Sequence, residues 1–305
     1  MTTPYQQHSQ APVPPQGPPQ APHQAPPHPA AGALSQPYAS MGAYTSPIPI
    51  RRTHLGNAIA SEWTKIKSVR STMWTLGVMV AVVIGVGLLV SATTSDTDYT
   101  IIPTTSLPGF MGTLLGQLCI VTLGVLVISS EYGTGMIRTT FTASPARSRV
   151  LTAKALVFFT VSFVTTTVTL ALVAFATTGM HSGAGIMEPT DSQMMGATLG
   201  VGLYVSLLGL LSLAVGSMLR HSAGAITTML GVVLLPAILP GFLMMSDSLA
   251  DLGTTMQKYS SPFALAALFQ VDEAVGTGGP QLMALSGVTL AAFVAAYALL
   301  EKRDV

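Results

Sequence analysis

The sequence predicts an all-α integral membrane protein with six transmembrane helices and both termini in the cytoplasm. An N-terminal amphipathic connecting helix and a disordered tail rich in Pro, Gln and Ala complete the predicted fold. Three observations support this fold class: charge is scarce, six apolar runs are long enough to span a bilayer, and successive loops alternate in charge. Only 8% of the 305 residues are Asp, Glu, Lys or Arg, whereas soluble domains carry about 25%.

The apolar runs set the number of spans. A helix needs about 20 mostly apolar residues to cross roughly 30 Å of hydrocarbon. The fifth run contains Pro236 and Pro240, which predict that its second half is bent or buried against protein. The predicted spans are 72–92, 108–130, 153–178, 195–219, 223–245 and 281–300.

The charges set the orientation. Every Lys and Arg except Lys258 lies before the first run, between the second and third or at the first residues of the third, between the fourth and fifth, or after the sixth. Cytoplasmic loops are the ones enriched in Lys and Arg, so both termini are predicted to be cytoplasmic. The remaining loops carry the acidic residues Asp96, Asp98, Glu188, Asp191, Asp247, Asp251, Asp272 and Glu273.

The N-terminal segment differs from the rest of the chain. Residues 1–50 contain no Asp, Glu, Lys or Arg and are rich in Pro, Gln and Ala. Such a composition cannot bury enough apolar surface to offset the entropy of ordering. We predict a disordered cytoplasmic tail over 1–50 and a six-helix transmembrane domain over 51–305. The tail is either a solvated extension or a docking site for a proline-reading domain.

Several functional classes are disfavoured. No run carries an ionisable residue near its middle, which argues against a proton relay or an ion-coupled mechanism. No His/Glu cluster has metal-ligand spacing, and the lone Cys119 excludes an internal disulfide. The phosphate-binding pattern G-x-x-x-x-G-K-[ST] is missing. We expect a chain that is not itself an enzyme, that binds no metal or cofactor and that has no nucleic-acid partner.

Small residues recur within the spans. Gly112 and Gly116 lie four residues apart in the second run, and Gly196 and Gly200 do so in the fourth. This spacing lets helix backbones approach closely. It fits packing within one bundle or an interface between subunits.

The segment before the first span has helical periodicity. Apolar residues recur every three or four positions, and the basic residues lie off that line, which predicts an amphipathic helix in the membrane interface. The alternative is a plain extension of the first span. The apolar line is Leu55, Ile59, Trp63 and Ile66, and the basic flank is Lys65, Lys67 and Arg70.

The segment between the second and third spans is the longest loop predicted to be cytoplasmic. Glu131 and Tyr132 end the second span, and Gly133 and Gly135 are predicted to break the helix. A short helix follows, in which Met136, Ile137, Arg138 and Phe141 are candidate partner-contacting residues, with Ile137 and Phe141 on one face and Arg138 exposed. Ser144 is a predicted N-cap and Pro145 a predicted first residue of the third helix.

Two of these segments resemble the permease subunits of bacterial type-2 ABC transporters, and the proline-rich tail resembles those of actinobacterial members. The two segments are "SEWTKIKSVRSTMWTL" (61–76) and "SSEYGTGMIRTTFTASPARSRVLTAK" (129–154). The resemblance implies a connecting helix over 54–70 and an ATPase-coupling helix over 133–143. It also implies short helices near the outer surface within Ser260–Gln270.

The resemblance further implies a location in the bacterial plasma membrane and two kinds of partner. A second permease subunit would form a homo- or heterodimer, and a separate ABC ATPase subunit would bind ATP and Mg. The leading hypothesis is therefore the membrane subunit of an ATP-driven exporter, which forms the translocation path. The alternatives are a secondary transporter and a membrane scaffold or immunity protein without transport of its own.

Overall fold

The computed structural model describes residues 54–143, 146–271 and 276–302, and these residues form helices joined by turns. The tail predicted over 1–50 lies outside the described residues, as do Ser144 and Pro145. The helices are α1 Leu55–Ser68, α2 Arg70–Thr93, α3 Ser106–Gly133, α4 Met136–Ala143, α5 Arg147–Met180, α6 Asp191–Met195, α7 Val201–Leu219, α8 Ser222–Leu243, α9 Ala250–Lys258, α10 Ser261–Leu268 and α11 Gly279–Lys302.

Six of these elements are long and apolar enough to span a membrane, as the sequence predicts. They are α2, α3, α5, the continuous segment Asp191–Leu219, α8 and α11. Five of the six extend beyond the predicted spans, most clearly α5 with 34 residues, whereas α8 ends at Leu243, two residues before the predicted end. Hydropathy marks only the part of a helix that suits hydrocarbon, and backbone hydrogen bonding continues into the polar ends.

The core of the bundle lies where α3 and α7 meet. Gly124 of α3 packs against the backbone oxygen of Gly209 in α7, and Gly112 faces the backbone of Val83 in α2. Gly116 likewise lies against Val83, so the predicted pair Gly112 and Gly116 packs against α2 within the same bundle. The outer helices α2, α8 and α11 keep large apolar side chains exposed, among them Trp74, Phe242 and Val294.

The two ends of the bundle carry different short elements. Helices α1 and α4 lie at the end where α3 finishes and α5 begins, whereas α6, α9 and α10 lie at the opposite end. α8 continues through both prolines, with Pro240 buried. α10 has eight residues and is too short to cross a bilayer.

Candidate functional site

Helix α1 is turned onto the bundle by a single extended residue. Val69 has φ −81° and ψ 108°, so it interrupts the helix between α1 and α2. α1 then lies along α5 and the start of α2. Its inward face carries Ile66 and, next to it, the carboxylate of Glu62, while Trp63 is exposed. Of the predicted apolar line, Ile66 therefore packs against the bundle, whereas Trp63 does not.

Four charged side chains meet beneath α1. We call Glu62, Lys65, Glu131 and Lys154 the charge cluster. Lys154 Nζ lies 2.6 Å from Glu62 Oε2 and 2.8 Å from Glu131 Oε1. Lys65 Nζ lies 2.7 Å from Glu62 Oε1 and 2.9 Å from Glu131 Oε1. The charge cluster thus connects α1 to both α3 and α5.

Three members of the charge cluster are nearly inaccessible. The exposed side-chain fractions of Lys154, Glu62 and Glu131 are 3%, 5% and 7%, against 27% for Lys65. Charges this deeply buried persist only when they are paired and hydrogen-bonded. Two ammonium groups face two carboxylates, so the charge cluster is formally neutral. Removing any single member would leave a net charge in the low-dielectric interior.

The two lysines differ in their surroundings. Lys154 uses its three donors on Glu62, Glu131 and the backbone oxygen of Val127, the last at 3.3 Å. Burial alone would lower the pKa of the Lys65 ammonium group. The carboxylates of Glu62 and Glu131 outweigh that effect and hold the pKa of Lys65 above its ordinary value.

A cavity adjoins the charge cluster. It has a volume of about 300 Å³ and lies between α1, α2 and α3. Glu131 contributes to its wall, and Oε2 of this carboxylate is buried without a hydrogen-bond partner among the described residues. Lys65 and Lys154 both donate to the other oxygen, Oε1. The charge cluster therefore keeps one acceptor available beside a space.

Helix α4 leaves the end of α3 through a left-handed residue. Gly135 has φ +73°, a conformation that suits glycine. Ile137 is buried against the bundle and Phe141 is half-buried, while Met136 and Arg138 are exposed. The predicted apolar face is thus an anchor for α4, and the opposite face remains open to a partner.

A groove separates α4 from α1. It has a volume of about 370 Å³ and is lined by His54, Asn57, Ser61, Met136 and Thr140, among others. The wall includes Glu62 and Lys65 of the charge cluster. Helices α1 and α4 therefore flank one accessible groove, and the charge cluster forms part of its wall.

Basic residues from separate segments gather at this end. The Arg220 guanidinium lies 5.2 Å from the ring of Tyr132, and that of Arg147 lies 5.6 Å from the ring of Phe141. Arg147 Nη1 also donates to the backbone oxygen of Leu300 at 3.2 Å. The segments predicted to be cytoplasmic thus come together at one end of the bundle.

The sequence-predicted site residues separate into two groups. One group lies on the inward side of α1 and consists of Lys65, Ile66 and Glu131. The other packs at the base of α4 and consists of Tyr132, Ile137 and Phe141. The exposed residues do not converge in one pocket. Gly133, Gly135 and Arg138 lie at α4 and the turn before it. Leu55, Lys67 and Arg70 lie on α1 and at the start of α2, and Ile59 of α1 is half-buried. The helix after α4 begins at Arg147; the predicted capping residues Ser144 and Pro145 are outside the described residues.

The sequence pattern does not single out Glu62, and it indicates no more than a loop charge for Lys154. A signal for both exists in the sequence. Glu62 and Glu131 are acidic residues within segments that are otherwise basic, and Lys154 lies at the edge of an apolar run. Complementary charges in such places can be paired, although only the fold shows which carboxylate meets which lysine.

Comparison with known proteins identifies a family. A family model described as ABC-2 family transporter protein matches residues 58–236. The matched region begins within α1 and includes the charge cluster, α4 and the first four spans in full, with most of α8. The search of curated proteins found no match.

Proposed function

This chain belongs to the ABC-2 transporter family, and on that premise we propose that it is the permease subunit of an ATP-driven exporter. It is a multi-pass membrane protein with six candidate spans. The sequence has no P-loop pattern, so the proposal assigns ATP and Mg binding to a separate ATPase subunit. The permease contributes the translocation path.

The observation that carries the proposal is the connection between α1 and the spans. Three ion pairs of 2.6–2.9 Å connect α1, α3 and α5 to one another, one between each two helices. Helix α4 follows α3 after a two-residue turn, contributes Met136 to the wall of the groove and leaves Arg138 exposed. A partner that displaces α1 and α4 would therefore move α3 and α5 together. We assign ATPase contact to the exposed face of α4 and its groove with α1.

Coupling requires two packings of the bundle. Nucleotide can drive transport only if the ATPase contacts one packing better than the other. In the proposed cycle, closure of two ATPase subunits displaces α4 and α1. The charge cluster transmits this displacement to α3 and α5, and the bundle shifts between inward-open and outward-open arrangements. The ATPase supplies the chemistry, and this chain supplies the mechanical connection.

The proposal also includes orientation and assembly. The basic end, with α1 and α4, faces the cytoplasm of a bacterial plasma membrane, in keeping with the positive-inside rule. A second permease subunit completes the path. The exposed apolar side chains of α2, α8 and α11 suit lipid and a second subunit, since both provide apolar contact.

The direct test is assembly with an ATPase. The full chain would be co-expressed with each ABC ATPase encoded in the same genome, purified, and assayed for ATP hydrolysis in lipid nanodiscs. The expected result is one ATPase that co-purifies and hydrolyses ATP in the complex. Failure of every ATPase to associate would reject the proposal in favour of a scaffold or a secondary transporter.

Orientation has a separate test. In a background with Cys119 replaced by Ala, a cysteine at Asp96 or Asp191 should react with an impermeant thiol reagent added to intact cells. A cysteine at Ser148 should react only after the cells are opened. The reverse labelling pattern would invert the proposed topology.

A further inference from the structure

A second cavity lies toward the end of the bundle opposite the charge cluster. It has a volume of about 380 Å³ and is bounded by α7, α8, α11, Tyr259 after α9 and the start of α10. Sites for small molecules usually have volumes of about 300–1,000 Å³ and mainly apolar walls with a few polar groups. We call this space the α8–α11 cavity.

The α8–α11 cavity is amphipathic along its length. Its deeper wall is apolar and includes Leu208, Leu211 and Val233. Four polar residues also line it: Tyr204 of α7, Tyr259 after α9, Ser261 at the start of α10 and Gln281 in the first turn of α11. The last three come from helix ends at the side opposite the charge cluster. A molecule with a polar head and an apolar body would therefore fit with its body pointing toward the middle of the bundle.

Gln281 supplies an unused acceptor. The residue is only 4% exposed. Its Nε2 donates to the backbone oxygen of Lys258 at 3.2 Å, but its Oε1 is buried without a partner among the described residues. A carbonyl oxygen left unpaired in apolar surroundings carries a large desolvation penalty. The neighbouring Ser261 hydroxyl already donates to Gln117, so it does not compensate.

The proline in α8 creates a second acceptor of the same kind. Pro236 has no N–H, so the carbonyl of Val232, four residues earlier, loses its helical donor. Val232 and Pro236 both line the α8–α11 cavity. Within membrane helices, freed carbonyls of this type are tolerated where another group can satisfy them. The wall of the cavity thus includes one side-chain oxygen, Gln281 Oε1, without a donor among the described residues, and one backbone carbonyl, that of Val232, without its helical donor.

We propose that the α8–α11 cavity binds an amphiphile whose head group donates hydrogen bonds, such as an alcohol, an amide or a primary amine, with Gln281 Oε1 as its acceptor. This inference rests on the proposed transport function and narrows its substrate class. The head contacts Gln281 near the bundle surface, and the apolar body lies against α7 and α8. An apolar molecule of the same shape without a donor leaves Gln281 unsatisfied and binds less tightly.

The test uses the full chain in lipid nanodiscs and a diazirine-bearing octanol as photolabel. The matched probe is its methyl ether, which has nearly the same shape but no donor. Labelled residues are identified by peptide mass spectrometry, with excess octanol as competitor. The alcohol is expected to label the walls of the α8–α11 cavity, and excess octanol should displace it. Its octanol-sensitive labelling should exceed that of the ether about three- to tenfold, as one hydrogen bond implies.

Variants on α11 distinguish the contribution of the Gln281 acceptor from that of the cavity volume. Gln281→Leu should lower specific labelling by the alcohol to the level of the ether. Ala284→Phe should block both probes by filling the cavity. Ser286→Ala is the matched control, because Ser286 is exposed and its hydroxyl donates only to its own helix at Leu282; its labelling should match that of the unmodified chain.

The contrary outcomes are distinct. Labelling spread evenly over exposed residues such as Phe242 and Met283, unchanged by Gln281→Leu, would overturn the cavity proposal. An unlabelled cavity in an assembled, ATP-hydrolysing complex would also refute it while leaving the proposed function intact. A labelled cavity in a chain that joins no ATPase would refute the transport assignment instead.

Discussion

The two ends of this bundle are held together by different forces. At the charged end, buried ion pairs join α1, α3 and α5. At the opposite end, the contacts are hydrogen bonds to backbone oxygens and close backbone packing. Ser106 donates to the oxygen of Phe269 at 3.0 Å, and Gly196 lies against the backbone oxygen of Leu268.

Both ends also contain a carboxylate paired with a base, and here burial makes the difference. Asp96 Oδ1 lies 2.7 Å from His181 Nδ1, as short as the pairs of the charge cluster, but the Asp96 side chain is 74% exposed. An exposed pair contributes little to stability, whereas breaking a buried pair is costly. We therefore expect the charged end to move as one unit and the opposite end to adjust contact by contact.

The largest expected effect comes from Lys154→Met. It leaves Glu62 and Glu131 with only Lys65, so the free energy of unfolding in mild detergent should fall by about 3–5 kcal/mol. The matched variant Lys154→Met with Glu62→Leu removes one charge of each sign and leaves Lys65 paired with Glu131. It should recover most of the loss. Unchanged stability in Lys154→Met alone would refute the buried cluster.

The next effect tests the opposite end. A Cβ at Gly196 would lie 2.8 Å from the backbone oxygen of Leu268, so Gly196→Ala should cost about 1–3 kcal/mol of unfolding free energy through overpacking. Gly179→Ala is the control, because no atom lies within 4 Å of a Cβ there. Equal stabilities for the two variants would show that close backbone packing does not hold this end.

A smaller effect is expected for Lys65→Met. Lys65 is partly exposed and Lys154 still pairs with both carboxylates, so the loss should be roughly 1 kcal/mol. The folded-state pKa of Lys65 is raised, so its contribution is full below the unfolded-state pKa and is lost as pH rises through the higher folded-state pKa. The difference in unfolding free energy between Lys65→Met and the unmodified chain should therefore be the same at neutral and at mildly alkaline pH. A difference that disappears near neutral pH would contradict this assignment.

The smallest effect is expected for Asp96→Asn at the opposite end. Because Asp96 is mostly exposed, its pair with His181 should contribute less than about 1 kcal/mol. Unfolding in detergent at neutral pH measures it directly. A loss as large as that of Lys154→Met would remove the distinction between the two ends.

The sequence predicts what depends on local pattern. Hydropathy identifies the six spans, and the Gly135 turn with a short helix after it follows from residue type. The periodicity of α1 predicts a helix but cannot show that Glu62 faces inward, because its partner Lys154 is 92 residues away in the chain. Pairing across such distances is set by helix packing.

Two other features also depend on packing. Ile137 and Phe141 form an apolar face in the sequence, yet that face anchors α4 to its own bundle rather than remaining open. The α8–α11 cavity arises where Pro236 and Gln281 come together from helices far apart in sequence. Neither Pro236 nor Gln281 indicates a binding site by itself. Only the packing of their helices places an unpaired acceptor beside an apolar cavity.

The central claim is that the exposed face of α4 couples an ATPase to the charged end of the bundle. The most direct test is the ATP hydrolysis of the reconstituted complex with Arg138→Glu, since Arg138 is exposed. Lys302→Glu reverses an exposed charge at the same end and serves as control. We predict a roughly tenfold loss of ATPase association or hydrolysis for Arg138→Glu alone, with unfolding unchanged in both variants. Full association and hydrolysis with Arg138→Glu would contradict the claim.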